Sequence, residues 1–286
     1  MLPQHATPDS ELQPTAFSMT AENPVGIFDS GVGGLSVLRE IRRELPREDL
    51  LYVADSGYAP YEDQSDEMIE KRAIAIAQFL VSESAKAIVV ACNTATGIAI
   101  DALRSRFSVP VVAMEPALKP AVLNTRSAVV GVLATRQTLS GSKFSRLLVA
   151  YGADVQILQQ PCPGLVEQVE KGDLSSQATR SLVEQYVGPL LTKGADTLVL
   201  GCTHYPFLIP VIRAIAGPSV TIVDPSAAVA RELRRRLQVS ELLSRGAQPG
   251  TERVWTSGSV EKARYVVAQL WRNDVDVQGV PSGFLS

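Results

Sequence analysis

The sequence predicts an α/β protein of two pseudosymmetric domains, each an open, mostly parallel sheet flanked by helices, with the functional cleft between them. Three observations lead there. Short apolar runs alternate with helix-length amphipathic stretches, which is the pattern of strand–helix–strand crossovers. Most of the runs are near-continuous Val, Ile, Leu and Ala, as expected of parallel strands covered on both faces. The pattern also occurs twice in the same order. Ala87-Ile88-Val89-Val90-Ala91-Cys92-Asn93-Thr94 resembles Asp196-Thr197-Leu198-Val199-Leu200-Gly201-Cys202-Thr203. Val25 to Ser30 resembles Val130 to Thr135, and Val111 to Pro116 resembles Thr221 to Pro225.

Taken in order, the expected strands are 25–28, 50–54, 87–91, 109–113, 128–133, 155–158, 197–200, 220–223 and 253–256. The expected helices are 35–44, 66–82, 95–106, 139–151, 176–192, 206–215 and 227–237. The expected organisation is an N-terminal tail over 1–23, a first domain from 24–120 plus 221–272, a second domain over 121–220, and a C-terminal tail over 273–286. The first 23 residues are polar and Pro-rich, with neither a basic start nor an apolar stretch, so they do not read as a secretory signal.

Composition narrows the function. The 286 residues carry a formal net charge of -3, and the densest basic cluster, Arg234 to Arg236, sits beside Glu232. That reads as a solvated helix face, not as the basic stripe of a nucleic-acid surface. No apolar run reaches membrane-spanning length. The expected location is the cytoplasm, with no membrane or nucleic-acid partner. Three cysteines, Cys92, Cys162 and Cys202, do not make a disulfide framework. Two histidines, His5 and His204, with no metal-type spacing, give no metal site.

Ligands of open parallel sheets bind beyond the carboxyl ends of the strands. Cys92 and Cys202 both fall there, one per repeat, each ahead of hydrogen-bonding residues and a helix. A thiol at a helix N-terminus lies in positive potential, which is expected to favour its thiolate. A single cysteine in such a place reads as buried packing; the repetition is what points to chemistry. Cys162, between two prolines, has no such setting and is assigned no catalytic role. Asp29-Ser30-Gly31-Val32-Gly33-Gly34 also follows a strand and precedes a helix. It is a poor dinucleotide fingerprint, because the third glycine would fall on Ser36. Its open backbone N–H groups are expected to seat a carboxylate or phosphate, and Asp29 suits an ammonium group. His204, two residues after Cys202, is a proton partner for it.

Two thiols facing one another across a cleft suit inversion of a stereocentre. One thiolate removes a Cα proton and the opposite thiol delivers one, with donors and exclusion of water stabilising the carbanion. Asn93, Thr94, Thr135 and Thr203 are the candidate donors.

The motifs together resemble the glutamate racemases of the aspartate/glutamate racemase superfamily, from about Val25 to about Trp271. They run from Phe28 to Ser36, through Ala59-Pro60-Tyr61, Ala91 to Ala95 and Leu133-Ala134-Thr135. They continue through Leu200-Gly201-Cys202-Thr203-His204-Tyr205-Pro206 to Thr256-Ser257-Gly258. The resemblance implies glutamate as substrate, no cofactor, and Cys92 and Cys202 as the two bases. Asp29, His204 and Glu170 would assist them, with Glu167 a competitor for the last place. Asp29, Ser30, Tyr61, Asn93, Thr94, Thr203 and His204 would hold the substrate, and Thr135 and Thr138 would line its carboxylate pocket. A role in supplying D-glutamate for bacterial peptidoglycan is implied, as are a muramyl-peptide precursor as activator and a homodimer.

One departure stands out: Glu62 follows Pro60-Tyr61 where the family usually has glycine. Its charge and side chain are expected to weaken binding of an acidic substrate or to alter the loop. Three other readings compete: a relative acting on aspartate, hydantoin or maleate; an idle binding or regulatory protein on this scaffold; and a thiol–disulfide redox protein. Retention of both cysteines speaks against the second, and the third requires the two sulfurs within bonding reach.

Overall fold

The computed structural model describes residues 19–284. In chain order the elements are β1 (Val25–Asp29), α1 (Leu35–Glu44), β2 (Leu50–Ala54), α2 (Asp66–Ser82), β3 (Ala87–Val90), α3 (Asn93–Arg106), β4 (Val111–Ala113) and α4 (Leu118–Asn124). There follow β5 (Val129–Ala134), α5 (Arg136–Ser140), α6 (Ser142–Tyr151), β6 (Gln156–Pro161), α7 (Leu165–Glu170), α8 (Gln177–Thr192), β7 (Thr197–Leu200) and α9 (Ile209–Ala216). The last are β8 (Thr221–Val223), α10 (Ser226–Val239), β9 (Glu252–Thr256), α11 (Val260–Leu270) and β10 (Val277–Gly279). Short 3-10 turns cover Tyr61–Asp63, Tyr205–Leu208 and Ser282–Phe284.

All pairings are parallel. One sheet runs β10-β9-β2-β1-β3-β4 and the other β6-β5-β7-β8. The inner order of the first, β2-β1-β3-β4, is the order of the second element for element. The repeat read from the sequence is therefore a repeat of topology. Strands β1, β2, β3 and β7 are buried along their whole length, as the absence of polar alternation requires.

Two expected boundaries are corrected. Residues 221–223 were expected in the first domain, but β8 pairs with β7 in the second sheet, Thr197 opposite Thr221. Residues 273–286 were expected as a tail, but β10 adds to β9 with Val277 opposite Val254, and Val275 and Val277 are buried. The N-terminal tail lies outside the described residues up to 18. Its last part is anchored: the Thr20 hydroxyl and N–H both donate to Asn23 Oδ1 at 3.0 and 2.8 Å, and buried Lys86 donates to the carbonyl of Ala21.

Helices 35–44 and 66–82 form as the periodicity predicts. Ser65 caps α2, its side chain accepting the Met68 N–H at 3.2 Å. The expected helix 139–151 is divided at Gly141, whose backbone is extended (φ -70, ψ 147). The expected helix 206–215 opens as a 3-10 turn before α9. Helices α4, α7 and α11 and strand β10 were not anticipated.

Helix α1 buries Leu35, Val37, Leu38 and Ile41, and at about 1.5–3 kcal/mol per large apolar side chain this face fixes it to the sheet. Its outer partner is α10, which the chain reaches after leaving the second sheet, so α10 returns the chain to the first domain. Arg235 and Arg236 pair with Glu232 on the same helix and Arg234 with Glu44 on α1, all exposed or partly so, as expected of a solvated face.

Candidate active site

The carboxyl ends of both sheets meet in one cleft. Cys92 and Cys202 lie at equivalent places, each two residues beyond the last residue of its strand, Val90 of β3 and Leu200 of β7. They line a single small cavity of about 10 Å³ together with Ser30, Pro60, Tyr61, Glu62, Asn93, Thr94, Thr135, Val166, Gly201, Thr203 and His204. That volume is about one water-sized sphere, so the cleft is shut. All three cysteines are free thiols and buried. Cys162 does not line this cavity, and its Sγ donates to the carbonyl of Gln160 at 3.2 Å.

Cys92 is the N-cap of α3. Its sulfur accepts the Ala95 N–H at 3.4 Å and donates to Ser30 Oγ at 3.7 Å. The expectation that the helix end lowers this thiol is corrected. Burial, and next the charge of Asp29, push the Cys92 thiol well above its usual range, and the Ala95 and Ser30 contacts only partly offset them. Cys92 therefore rests as a thiol in the closed cleft.

The opposite sulfur has a different partner. Cys202 Sγ lies 3.7 Å from His204 Nδ1, and His204 Nε2 lies 2.6 Å from Glu170 Oε1. Burial disfavours a charged imidazole here. The hydrogen bonds to Cys202 and Glu170, with their charges, outweigh it and hold His204 well above its usual pKa. Glu170 is thus the α7 carboxylate that meets the histidine; its competitor Glu167 leaves Oε2 buried without a hydrogen bond.

The glycine-rich turn holds the protein's own carboxylates. Asp29 Oδ2 accepts the N–H groups of Gly31 and Gly34 at 3.2 and 2.9 Å. Val32 N–H donates to Glu170 Oε1 at 2.7 Å, across from the other domain, and Ser56 Oγ donates to Glu170 Oε2 at 3.0 Å. A Cβ on Gly31 would stand 1.9 Å from Glu170 Oε1, and one on Gly33 would stand 2.3 Å from His204 Nδ1. Both distances are far inside van der Waals contact, so these glycines are needed for close approach. The seat expected for a ligand anion is occupied, in this closed form, by Glu170.

Asp29 was expected to suit an ammonium group. It lies fully buried just behind the cavity wall, where Thr203 Oγ1 donates to its Oδ1 at 3.2 Å. Burial raises its carboxyl to about 6, against the opposing charge of His204 and the Gly34 N–H.

Three hydroxyls meet across the cleft. Thr94 Oγ1 lies 3.0 Å from Thr135 Oγ1 and 3.1 Å from Thr138 Oγ1, and the last two are 2.9 Å apart. Thr138 stands outside the small cavity, on the wall of a larger one of about 710 Å³ that shares Asn93 and Thr94 with it. Both polar atoms of the Asn93 side chain are buried without a hydrogen bond, an unmet capacity facing the cleft.

Tyr61 lines the cavity, but its hydroxyl donates to Asp55 Oδ2 at 2.7 Å, so the phenol holds the loop. Glu62 lies at the rim and its Oε2 accepts the N–H of Arg136 at 3.2 Å, bridging the two domains. Burial raises the Glu62 carboxyl, and the Arg136 N–H opposes that shift. The sequence reading missed Ser56, although Asp55-Ser56-Gly57 at the end of β2 repeats Asp29-Ser30-Gly31 at the end of β1.

Two like sheets thus carry a thiol at the same place in each, and both thiols line one cleft. The chain belongs to the Asp/Glu/hydantoin racemase family, whose profile matches residues 25–233. It is 57% identical over 263 residues to the glutamate racemase of Methylococcus capsulatus, covering 92% of this chain and 97% of that protein. It is 52% identical over 248 residues to the glutamate racemase of Pseudomonas aeruginosa, covering 86% and 93%. Among solved structures, glutamate racemase RacE1 of Bacillus anthracis superposes with a TM-score of 0.83 at 32% identity, covering 92% and 98%. The Escherichia coli glutamate racemase in complex with L-glutamate and the activator UDP-MurNAc-Ala superposes with a TM-score of 0.78 at 31% identity, covering 90% and 97%.

Proposed function

We propose that this enzyme interconverts L- and D-glutamate without an added cofactor, by proton transfer between Cys92 and Cys202 at the substrate Cα. The observation that carries the proposal is the shared cavity: two thiols from equivalent strand ends of two domains line one closed space. The names of the relatives supply the substrate.

In one direction a thiolate takes the Cα proton and becomes a thiol, leaving the electron pair on Cα. The opposite thiol delivers its proton to the other face and becomes a thiolate. The enzyme ends with the roles exchanged, and the reverse reaction restores them. On the Cys202 side, imidazolium His204 stabilises the thiolate and Glu170 keeps the imidazole charged. On the Cys92 side the Asp29 charge opposes ionisation. A substrate ammonium near Ser30 and Asp29 would offset that charge and bring the thiol within reach of deprotonation. Asn93 and the Thr94, Thr135 and Thr203 hydroxyls are the donors for the substrate's carboxylates. The closed cavity is too small for glutamate, so the domains must part to admit it and close to exclude water.

By the same likeness to relatives, the D-glutamate made in the cytoplasm would supply peptidoglycan, and a muramyl-peptide precursor would act as activator, as named for the Escherichia coli protein. The test is circular dichroism of L- and D-glutamate without added cofactor. The parent protein should racemise both. Cys92→Ala and Cys202→Ala should each abolish racemisation; full activity in either would overturn the scheme.

A further inference from the structure

The loop carrying residues 60–62 walls the cavity beside Cys92, yet only a three-residue 3-10 turn organises it. What fixes it is a buried ion pair. Arg72, on α2, is 1% exposed and Asp55 is 0% exposed. The guanidinium binds the carboxylate with two prongs, Nε to Oδ2 at 3.0 Å and a terminal nitrogen to Oδ1 at 2.8 Å. The same Oδ2 receives the hydroxyl of Tyr61. The face of the guanidinium lies 4.2 Å from the ring centre of Tyr58. Its remaining terminal nitrogen donates to the carbonyl of Phe284 at 3.1 Å. The Phe284 ring packs 5.3 Å from that of Phe79, on the same helix as Arg72. Two loop tyrosines and the C-terminal turn thus converge on one side chain.

Burying an ion pair is a weak way to add stability, because desolvation consumes most of the attraction. What a two-pronged pair supplies is direction. We propose that Arg72 is a positioning residue for the 60–62 wall of the cleft, and that the C-terminal turn Ser282–Phe284 completes its anchorage. This rests on the reading of the cleft as the racemisation site. Arg72 is not among the residues that line the cavity; it acts through Asp55 and Tyr61. The segment read as a tail from sequence is then part of the machinery that shapes the site, although it joins the sheet at its far edge.

The test compares Arg72→Lys, a chain ending at Val280, Tyr61→Phe, and Arg72→Lys combined with Tyr61→Phe. Each is assayed by circular dichroism with L- and D-glutamate, well below its melting temperature. Lysine keeps the charge but not the fork, and the shortened chain loses the Phe284 carbonyl. Each should raise KM about tenfold, the loss expected for one charge-assisted hydrogen bond, while changing kcat much less. Because Arg72 acts through the Asp55–Tyr61 link, the double variant should be no worse than the poorer single one. A lower melting temperature with unchanged KM, or losses that simply multiply, would overturn the proposal and leave Arg72 a stabilising residue only. A parent protein unable to racemise glutamate would overturn the assignment of the cleft instead, so the two failures are distinct.

Discussion

Replacing Glu170 tests how the site holds a charged histidine against a thiol. Glu170 Oε1 accepts from both Val32 N–H and His204 Nε2, and Oε2 accepts from Ser56. In Glu170→Gln the amide oxygen can keep the first two bonds, and the new NH2 can donate to Ser56 Oγ. Only the negative charge is lost. A hydrogen bond to a charged group contributes about 1.5–3 kcal/mol and a neutral one about 0.5–1.5, so the loss is about 1.5 kcal/mol. This corresponds to roughly tenfold in kcat/KM. In Glu170→Ala the buried imidazolium loses its partner, a change that costs about 3–5 kcal/mol, or at least a hundredfold. Circular dichroism of both enantiomers measures this. Enantiomers have equal free energies, so kcat/KM must fall equally in the two directions. The asymmetry belongs in the Cα-deuterium isotope effect, which should grow for the enantiomer whose proton Cys202 removes. Removal of the charge should also lower the pKa of His204, which Glu170 helps to raise, and move the basic limb of the pH profile downward. Wild-type kinetics and an unmoved pH profile in Glu170→Gln would refute the role of the ion pair.

Other outcomes follow from the same geometry. Asp29 is neutral below about 6 and ionised above it. The kcat/KM profile should therefore show an acid limb near that pH, lost in Asp29→Asn; a limb nearer 4 would mean that a solvated carboxylate is responsible. In the sign convention of linkage, the folded pKa exceeds the ordinary value of 3.8. The contribution of Asp29 to stability is therefore full below 3.8 and lost as the pH rises through about 6, which urea midpoints across that window will register. Glu62→Gly removes a carboxylate and one interdomain hydrogen bond, and should lower KM for glutamate by about two- to tenfold. Unchanged kinetics would show that this residue does not tune substrate entry.

Much of the fold is legible in the sequence because parallel strands covered on both faces leave a strong, local signal. Helices 35–44 and 66–82 come out to the residue, the second helped by the cap at Ser65. The likeness of residues 111–116 to 221–225 already implied that β8 belongs beside β7, as β4 lies beside β3. The expected boundary at 221 overlooked that consequence of the repeat. Strand β10 and helices α4 and α7 are too short for periodicity to mark. In the site, the structure brings Cys92, Cys202 and His204 to one cavity and sets Glu170 against His204. The resting state of Cys92 was not legible, because a helix end is a local feature and burial with Asp29 is a property of the assembled cleft. Nor could sequence show that Glu170 takes the Val32 N–H from 138 residues away, displacing the anion expected there.

The central claim is that Cys92 and Cys202 act on opposite faces of one carbon. Its most direct test is the first turnovers of L-glutamate by the unmodified protein in D2O, followed by mass spectrometry of each enantiomer. The account predicts D-glutamate fully deuterated at Cα while the remaining L-glutamate keeps its original hydrogen. D-glutamate retaining the substrate's own hydrogen would mean that a single group removes and returns the proton, and would contradict the account.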